Sequence, residues 1–193
     1  QIICQVAESS ANQVFGLDLV KERVEKLITF GSPNMYDSED DMTRQMKERT
    51  SGFGVDAVIL CVGGGASGMV DKALSWIRDR GKIIIVGDVA MSFDRELMFQ
   101  KEANILISRA GGPGRYMADY EQKGIDFPVG YVRWTEGRNM VEYIRLVKAG
   151  KIDIASLITH QLPLGRIAEA YELYRTSPSE VLGVVVTYNE TIT

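Results

Sequence analysis

VDAVILCVGGGASG, residues 55–68, reads as a strand that runs straight into a glycine turn. Val55–Val62 is nearly all apolar, which suits a parallel strand covered on both faces. Gly63–Gly68 makes the turn, and Met69–Arg78 has the apolar spacing of a helix that stops before Gly81. GKIIIVGD at 81–88 then supplies a second buried strand over Ile83–Val86. Toward the C-terminus, Phe93–Gln100 reads as a helix and Asn104–Ser108 (NILIS) as a further strand.

The same alternation extends toward the N-terminus. Asp40–Thr50 is a polar helix closed by Ser51-Gly52, and a short extended piece lies near Asn34–Tyr36. Lys21–Phe30 puts Val24, Leu27 and Ile28 on one helical face before Gly31 stops it. Gln13–Leu19 reads as a buried strand ending in Asp18, preceded by a helix with Ile2, Ile3, Val6 and Ala7 on one face. Strands separated by helices imply right-handed crossovers, so the expected fold is α/β, a Rossmann-like doubly wound parallel sheet. The chain opens at Gln1 in mid-pattern, from which we expect a segment of a longer polypeptide.

Beyond Ser108 the character changes. Gly111–Gly114 is a loop bracketed by Arg109 and Arg115, and Tyr116–Trp134 has no clean period. Thr135–Ala149 reads as a helix burying Met140, Val141, Ile144 and Val147, with Gly150 as its stop. Leu164–Tyr174 is another helix and Val181–Tyr188 a terminal strand. Residues 1–150 form the expected nucleotide-binding domain, and 151–193 are elements returning to a second lobe otherwise absent.

Composition narrows the function. The 193 residues are 45% hydrophobic and 25% charged, with 22 Lys+Arg against 26 Asp+Glu and a net charge of −4. That balance argues against nucleic-acid or anionic-membrane binding. No apolar run reaches the roughly 18–20 residues of a membrane span. Two cysteines, Cys4 and Cys61, and one histidine, His160, cannot build a disulfide framework or a zinc site rich in thiolates or imidazoles. The expected setting is cytoplasmic.

Parallel sheets bind ligands at the carboxyl ends of their strands. Gly63–Gly68 spells G-x-G-x-x-G, and Asp88 follows Gly68 by 20 residues, satisfying the dinucleotide fingerprint with Asp88 on the ribose. In a competing placement Asp18, ending an earlier strand, takes the ribose. The first strand and its glycine turn then lie upstream of Gln1, and Gly63–Gly68 faces the nicotinamide half. A third reading makes the glycines a tight turn only. The residues alone leave all three open.

From Asp18 onward the chain resembles the coenzyme-binding half of the zinc-type, medium-chain alcohol dehydrogenase superfamily. The resemblance rests on VDAVILCVG at 55–63, GKIIIVG at 81–87, Leu157–His160, Leu162-Pro163-Leu164 and Ala168–Tyr171. PGRY, EQKGIDFPVGYVRWTE and GRNM resemble a narrower group, the bi-domain oxidoreductases of bacterial polysaccharide-biosynthesis clusters.

That resemblance implies Asp18 on the adenosine ribose with Arg23 beside it, and a carboxylate there favours NAD over NADP. It implies Cys61, Val62 and Gly63 along the cofactor, and Val86, Gly87 and Asp88 near the nicotinamide. Ser108, Arg109 and Ala110 complete that end through main-chain groups, while Asp18 as a helix N-cap and Cys61 as a small buried residue remain the structural alternatives. Arg109 and Arg115 are candidates to grip a phosphate or sugar acid. No catalytic residue or zinc ligand is expected in this segment, and His160 is expected to be structural or interfacial.

The intact enzyme would move hydride between NAD and a small alcohol or sugar-type substrate, the segment alone being inactive. The alternatives are a non-catalytic Rossmann-like dimerisation or partner-binding module and a methyltransferase-like fold for S-adenosylmethionine. In strand order 3-2-1-4-5-6 a missing first strand would leave a central gap, closed by rearrangement or by a strand from another copy. A homodimer through the 104–108 edge strand is also expected.

Overall fold

The computed structural model describes residues 1–10, 12–29 and 31–188. These fall into two compact units, one from residues 1–42 with 143–193 and the other from residues 43–142. Every strand pairing is parallel.

In the first unit, α1 (Ile2–Ser9) precedes β1 (Gly16–Leu17), α2 (Lys21–Thr29) and β2 (Met35–Tyr36). β1 and β2 pair through Gly16 with Met35 and Leu17 with Tyr36. The strand expected over Gln13–Leu19 is thus two residues long. Its small core is Val24, Leu27 and Met35, with Cys4 and Val14 packed against it.

The face expected of α1 is displaced. Ile2 and Ile3 are exposed, and the buried residue is Gln5. Its amide forms a pair with the Asp153 backbone, accepting from the N–H at 2.6 Å and donating to the carbonyl at 3.3 Å. A buried primary amide is tolerated there because both its ends are satisfied.

The second unit holds the main sheet. α3 (Glu39–Arg49) leads toward it, followed by β3 (Val55–Leu60), α4 (Met69–Trp76), β4 (Ile77–Ile85), α5 (Arg95–Lys101) and β5 (Asn104–Ile107). The sheet order is β3-β4-β5. α4 ends two residues before the expected Arg78, because Ile77 turns extended and pairs with Val55. The register then jumps to Ala57 opposite Lys82.

One hydrophobic cluster joins Leu60, Ile83 and Ile85 of the sheet to Val70, Ala73 and Leu74 of α4, with Leu97 and Met98 of α5 packed on it. Burial of β3 on both faces, as expected from its composition, does not occur. Asp56, Ala57 and Ile59 are exposed, and Ile59 stands in register with Ile84 and the exposed Leu106. Both helices pack through the same cluster, which leaves this opposite row without a cover.

After β5 come a four-residue α6 (Ala118–Glu121) and α7 (Glu136–Lys148). Gly150 closes α7 with a left-handed φ of 66°. The buried face expected on α7 is corrected by the structure: Met140, Val141 and Ile144 are exposed and Val147 is half-buried. The apolar spacing is present, but nothing in the described residues lies over it.

The terminal strand and the helix before it were expected, but the strand at 158–163 and its pairing were not. β6 (Ile158–Pro163) pairs with β7 (Gly183–Thr187) across α8 (Ile167–Thr176). Thr159 locks the start of the ladder, its hydroxyl accepting from Leu182 N–H and donating to the Gly183 carbonyl, each at 3.1 Å. β1-β2, β3-β4-β5 and β6-β7 are three separate sheets among the described residues.

One-sided burial has a measurable consequence. Leu74→Ala, at a position of zero exposure, will cost about 2–5 kcal/mol in urea unfolding. Ile59→Ala, on the bare row, will cost about 1 kcal/mol or less.

Candidate functional site

The carboxyl ends of β3, β4 and β5 form one edge, built on backbone contacts. Val86 and Gly87 N–H both donate to the Leu60 carbonyl at 2.9 Å, and Ser108 N–H donates to Ile85 at 2.8 Å. The loops beyond are laced together, Gly65 N–H to the Asp88 carbonyl and Ala90 N–H to the Ala66 carbonyl, both 3.0 Å. This brings Cys61, Val62, Gly63, Val86, Gly87, Asp88, Ser108 and Arg109 to one end of one sheet.

Gly87 is the tight point. A Cβ there would fall on the Val62 carbonyl oxygen and within 2.9 Å of the Cys61 carbonyl carbon. Around it the edge is open. A Cβ on Gly63, Gly64 or Gly65 would meet nothing within 4 Å. Gly64, Gly65 and Gly68 have φ of 77°, 67° and 72°, a turn that side-chain-bearing residues rarely adopt. Val62 and Val86 present exposed apolar side chains of 39% and 45%. The result is an open backbone cradle flanked by two valines.

Asp18 and Arg23 belong to the other unit, where Asp18 directly follows β1. Its Oδ1 accepts from Val20 N–H at 3.0 Å, while the Arg23 and Val24 amides of α2 donate to the Val20 carbonyl. The carboxylate therefore shapes the turn, and Val20, not Asp18, stands at the cap of α2. Oδ2 lies 3.8 Å from Arg23 Nη1 in a half-exposed pair, and Arg23 Nη2 donates to the Pro178 carbonyl at 2.9 Å. At that distance and exposure the pair contributes about 1 kcal/mol or less, so Oδ2 is available to a ligand hydroxyl.

Cys61 is exposed, not the buried residue of the structural alternative. Partial desolvation nevertheless pushes its thiol above the ordinary range. His160 faces Thr159 Oγ1 at 2.9 Å within β6, consistent with a structural position. No group of three or more His, Cys, Asp or Glu side chains among the described residues could hold a metal ion.

Two features escaped the sequence pattern. Tyr116, in the aperiodic stretch, lies under both Arg109 and Arg115, with guanidinium carbons 5.4 and 5.0 Å from its ring centre. Tyr120 accepts from Gly137 N–H at 2.9 Å, capping α7 in place of the buried Thr135 hydroxyl. The spacing Arg109–Arg115–Tyr116 was the available signal for the first. Nothing local marked Tyr120 as a cap 17 residues from its helix.

Gly87→Ala will destabilise the chain by about 1–3 kcal/mol in urea unfolding, because its Cβ meets fixed backbone. In a Cys4→Ser background, alkylation of Cys61 by iodoacetamide will run below the rate of a free thiol at pH 8. It will keep rising beyond the ordinary thiol midpoint of about 8.5, since a raised pKa withholds the reactive thiolate until higher pH.

Comparison with known proteins agrees with this architecture. A sorbitol dehydrogenase of Halalkalibacterium halodurans is 24% identical over 192 residues, covering 96% of this chain and 48% of that protein. The structure of an Escherichia coli CFT073 short chain alcohol dehydrogenase complexed with NADH matches at a TM-score of 0.70 and 17% identity, over 96% of this chain and 48% of that one. An alcohol dehydrogenase from Thermus sp. ATN1 matches at 0.69 and 21%, over 96% and 48%. The chain thus spans about half the length of these relatives. The family model described as zinc-binding dehydrogenase matches residues 1–127. The chain therefore belongs to the zinc-binding dehydrogenase family and has the fold of the coenzyme-binding domain of medium-chain alcohol dehydrogenases.

Proposed function

We propose that this chain is the NAD-binding portion of a dehydrogenase acting on an alcohol or sugar-type small molecule. The observation that carries the reading is the open glycine cradle between the ends of β3 and β4, held by Gly87 against the Val62 carbonyl. Val62 and Val86 would hold the faces of the nicotinamide, and main-chain groups from Gly87 to Asp88 and at Ser108–Arg109 would orient its amide. Cys61 and Gly63 would line the approach.

In the other unit Asp18 Oδ2 would accept from a ribose hydroxyl, with Arg23 steadying the carboxylate. The same charge would repel a 2′-phosphate, so NAD is preferred to NADP. When bound, the nicotinamide supplies the hydride acceptor or donor; these residues supply position and electrostatics. Among the described residues no group of His, Cys, Asp or Glu fits a zinc ion, so none of these roles runs through a metal. Residues 1–150 would form the nucleotide-binding domain and 151–193 the return toward a second lobe.

The outer strand β5 has exposed Leu106 and Ile107, and its free edge supports a homodimer formed by strand continuation. The low cysteine count, two in 193 residues, supports a reducing, cytoplasmic setting.

Calorimetric titration of NAD and NADP into the chain tests the reading. NAD is expected to bind more tightly than NADP. Asp18→Ala is expected to weaken NAD about 10- to 100-fold, the loss of a charged hydrogen bond, while narrowing the gap to NADP. Absence of binding by either nucleotide would favour a non-catalytic module.

A further inference from the structure

The loop after β5 holds cationic groups that the cofactor reading does not use. Arg109 follows Ser108 at the end of the strand, and its guanidinium donates only to the Gly112 and Arg115 carbonyls, each at 3.4 Å. Among the described residues no carboxylate pairs with it. Arg115 meets the Glu121 carboxylate through Nη1 at 3.1 Å, and the Tyr116 side chain and the Glu136 carboxylate also stabilise its charge. Both guanidinium carbons approach the Tyr116 ring, which keeps them within about 10 Å of each other.

The loop backbone fixes this gathering. Gly112 and Gly114 have φ of 62° and 103°, and a Cβ on Gly114 would strike the Tyr120 ring at 2.7 Å. Tyr116 itself sits at φ 69°, a conformation that bulky residues seldom take. An arginine over an aromatic face keeps N–H groups for other acceptors, and a guanidinium matches the two oxygens of a phosphoryl or carboxylate group. Arg109, Arg115, Tyr116 and Glu121 are all solvent-facing or nearly so, leaving the cluster accessible.

We propose that Arg109 and Arg115, gathered on Tyr116, form a clamp for an oxyanion, phosphoryl or carboxylate, carried by the substrate. This deepens the dehydrogenase reading and rests on it for the word substrate. The clamp begins one residue beyond Ser108, so it would fix the charged end of a substrate beside the nicotinamide edge. Glu121 competes for Arg115 and sets the strength of the site.

The test uses the 193-residue chain with 15N-labelled arginine, following the Nε–H signals at constant ionic strength. The probes are inorganic phosphate, pyrophosphate, D-glucuronate and, as a neutral control, D-glucose. Saturable shifts of the Arg109 and Arg115 signals with the anions, and none with glucose, are expected. The tighter of phosphate and glucuronate identifies the oxyanion. Arg109→Gln and Arg115→Gln should each weaken binding at least 10-fold, and Glu121→Gln should tighten it several-fold.

Shifts that never saturate, or affinities unchanged in both arginine variants, would overturn the clamp. A repeat at saturating NAD separates the occupants. Retained anion binding supports a substrate subsite, whereas displacement would give the clamp to the cofactor and overturn the assignment. Anion binding in a chain that does not bind NAD would leave the oxyanion clamp standing, but remove the dehydrogenase reading and the substrate assignment with it.

Discussion

The approach of the Gly87 backbone to the Val62 carbonyl is the constraint on which the rest of the edge depends. With hydrogen in place of Cβ, Val86 and Gly87 can share the Leu60 carbonyl, and the loop after β4 can lie flat on the loop after β3. Two further bonds, from Gly65 to Asp88 and from Ala90 to Ala66, then hold the glycine turn beside the strand ends. Any side chain at position 87 would push these loops apart. Beneath them, the cluster of Leu74, Ile77 and Ile83 supplies the rigid floor, each with zero exposure.

Polar chemistry is found separately in each unit, a carboxylate in the first and a cationic loop in the second. Asp18 spends one oxygen on its own turn and holds the other toward Arg23, so it is oriented without being consumed. Arg109 and Arg115 are held by an aromatic ring and by backbone, with the Glu121 carboxylate paired to Arg115. Elsewhere arginine is used structurally. Arg138 reaches the Asp126 carboxylate at 2.7 Å and the carbonyls of Phe127 and Val132, tying the aperiodic segment to α7. The contrast lies in what each guanidinium has already satisfied.

Apolar surface tells a complementary story. The row through Ile59 and Leu106, and the α7 face of Met140, Val141 and Ile144, have the spacing of buried positions and are exposed. Their residue types were legible, but burial is a property of a neighbour as well as of the residue. α4 and α5 both commit to a single face of the sheet, and the second face keeps its apolar side chains in solvent.

Sequence by itself determined the alternation of elements, the parallel strands at Val58, Ile83 and Ile105, the glycine turn and the resemblance to a dehydrogenase. These rest on short-range periodicity and on glycine's access to left-handed backbone, which are written locally. Tertiary structure alone decided that Gln5 is buried and paired with Asp153, that Ile77 leaves the helix to join Val55, and that Tyr120 caps α7. It also decided that two arginines approach one tyrosine ring. Each is a contact whose value depends on a partner made available only by folding, so no window of local sequence could contain it.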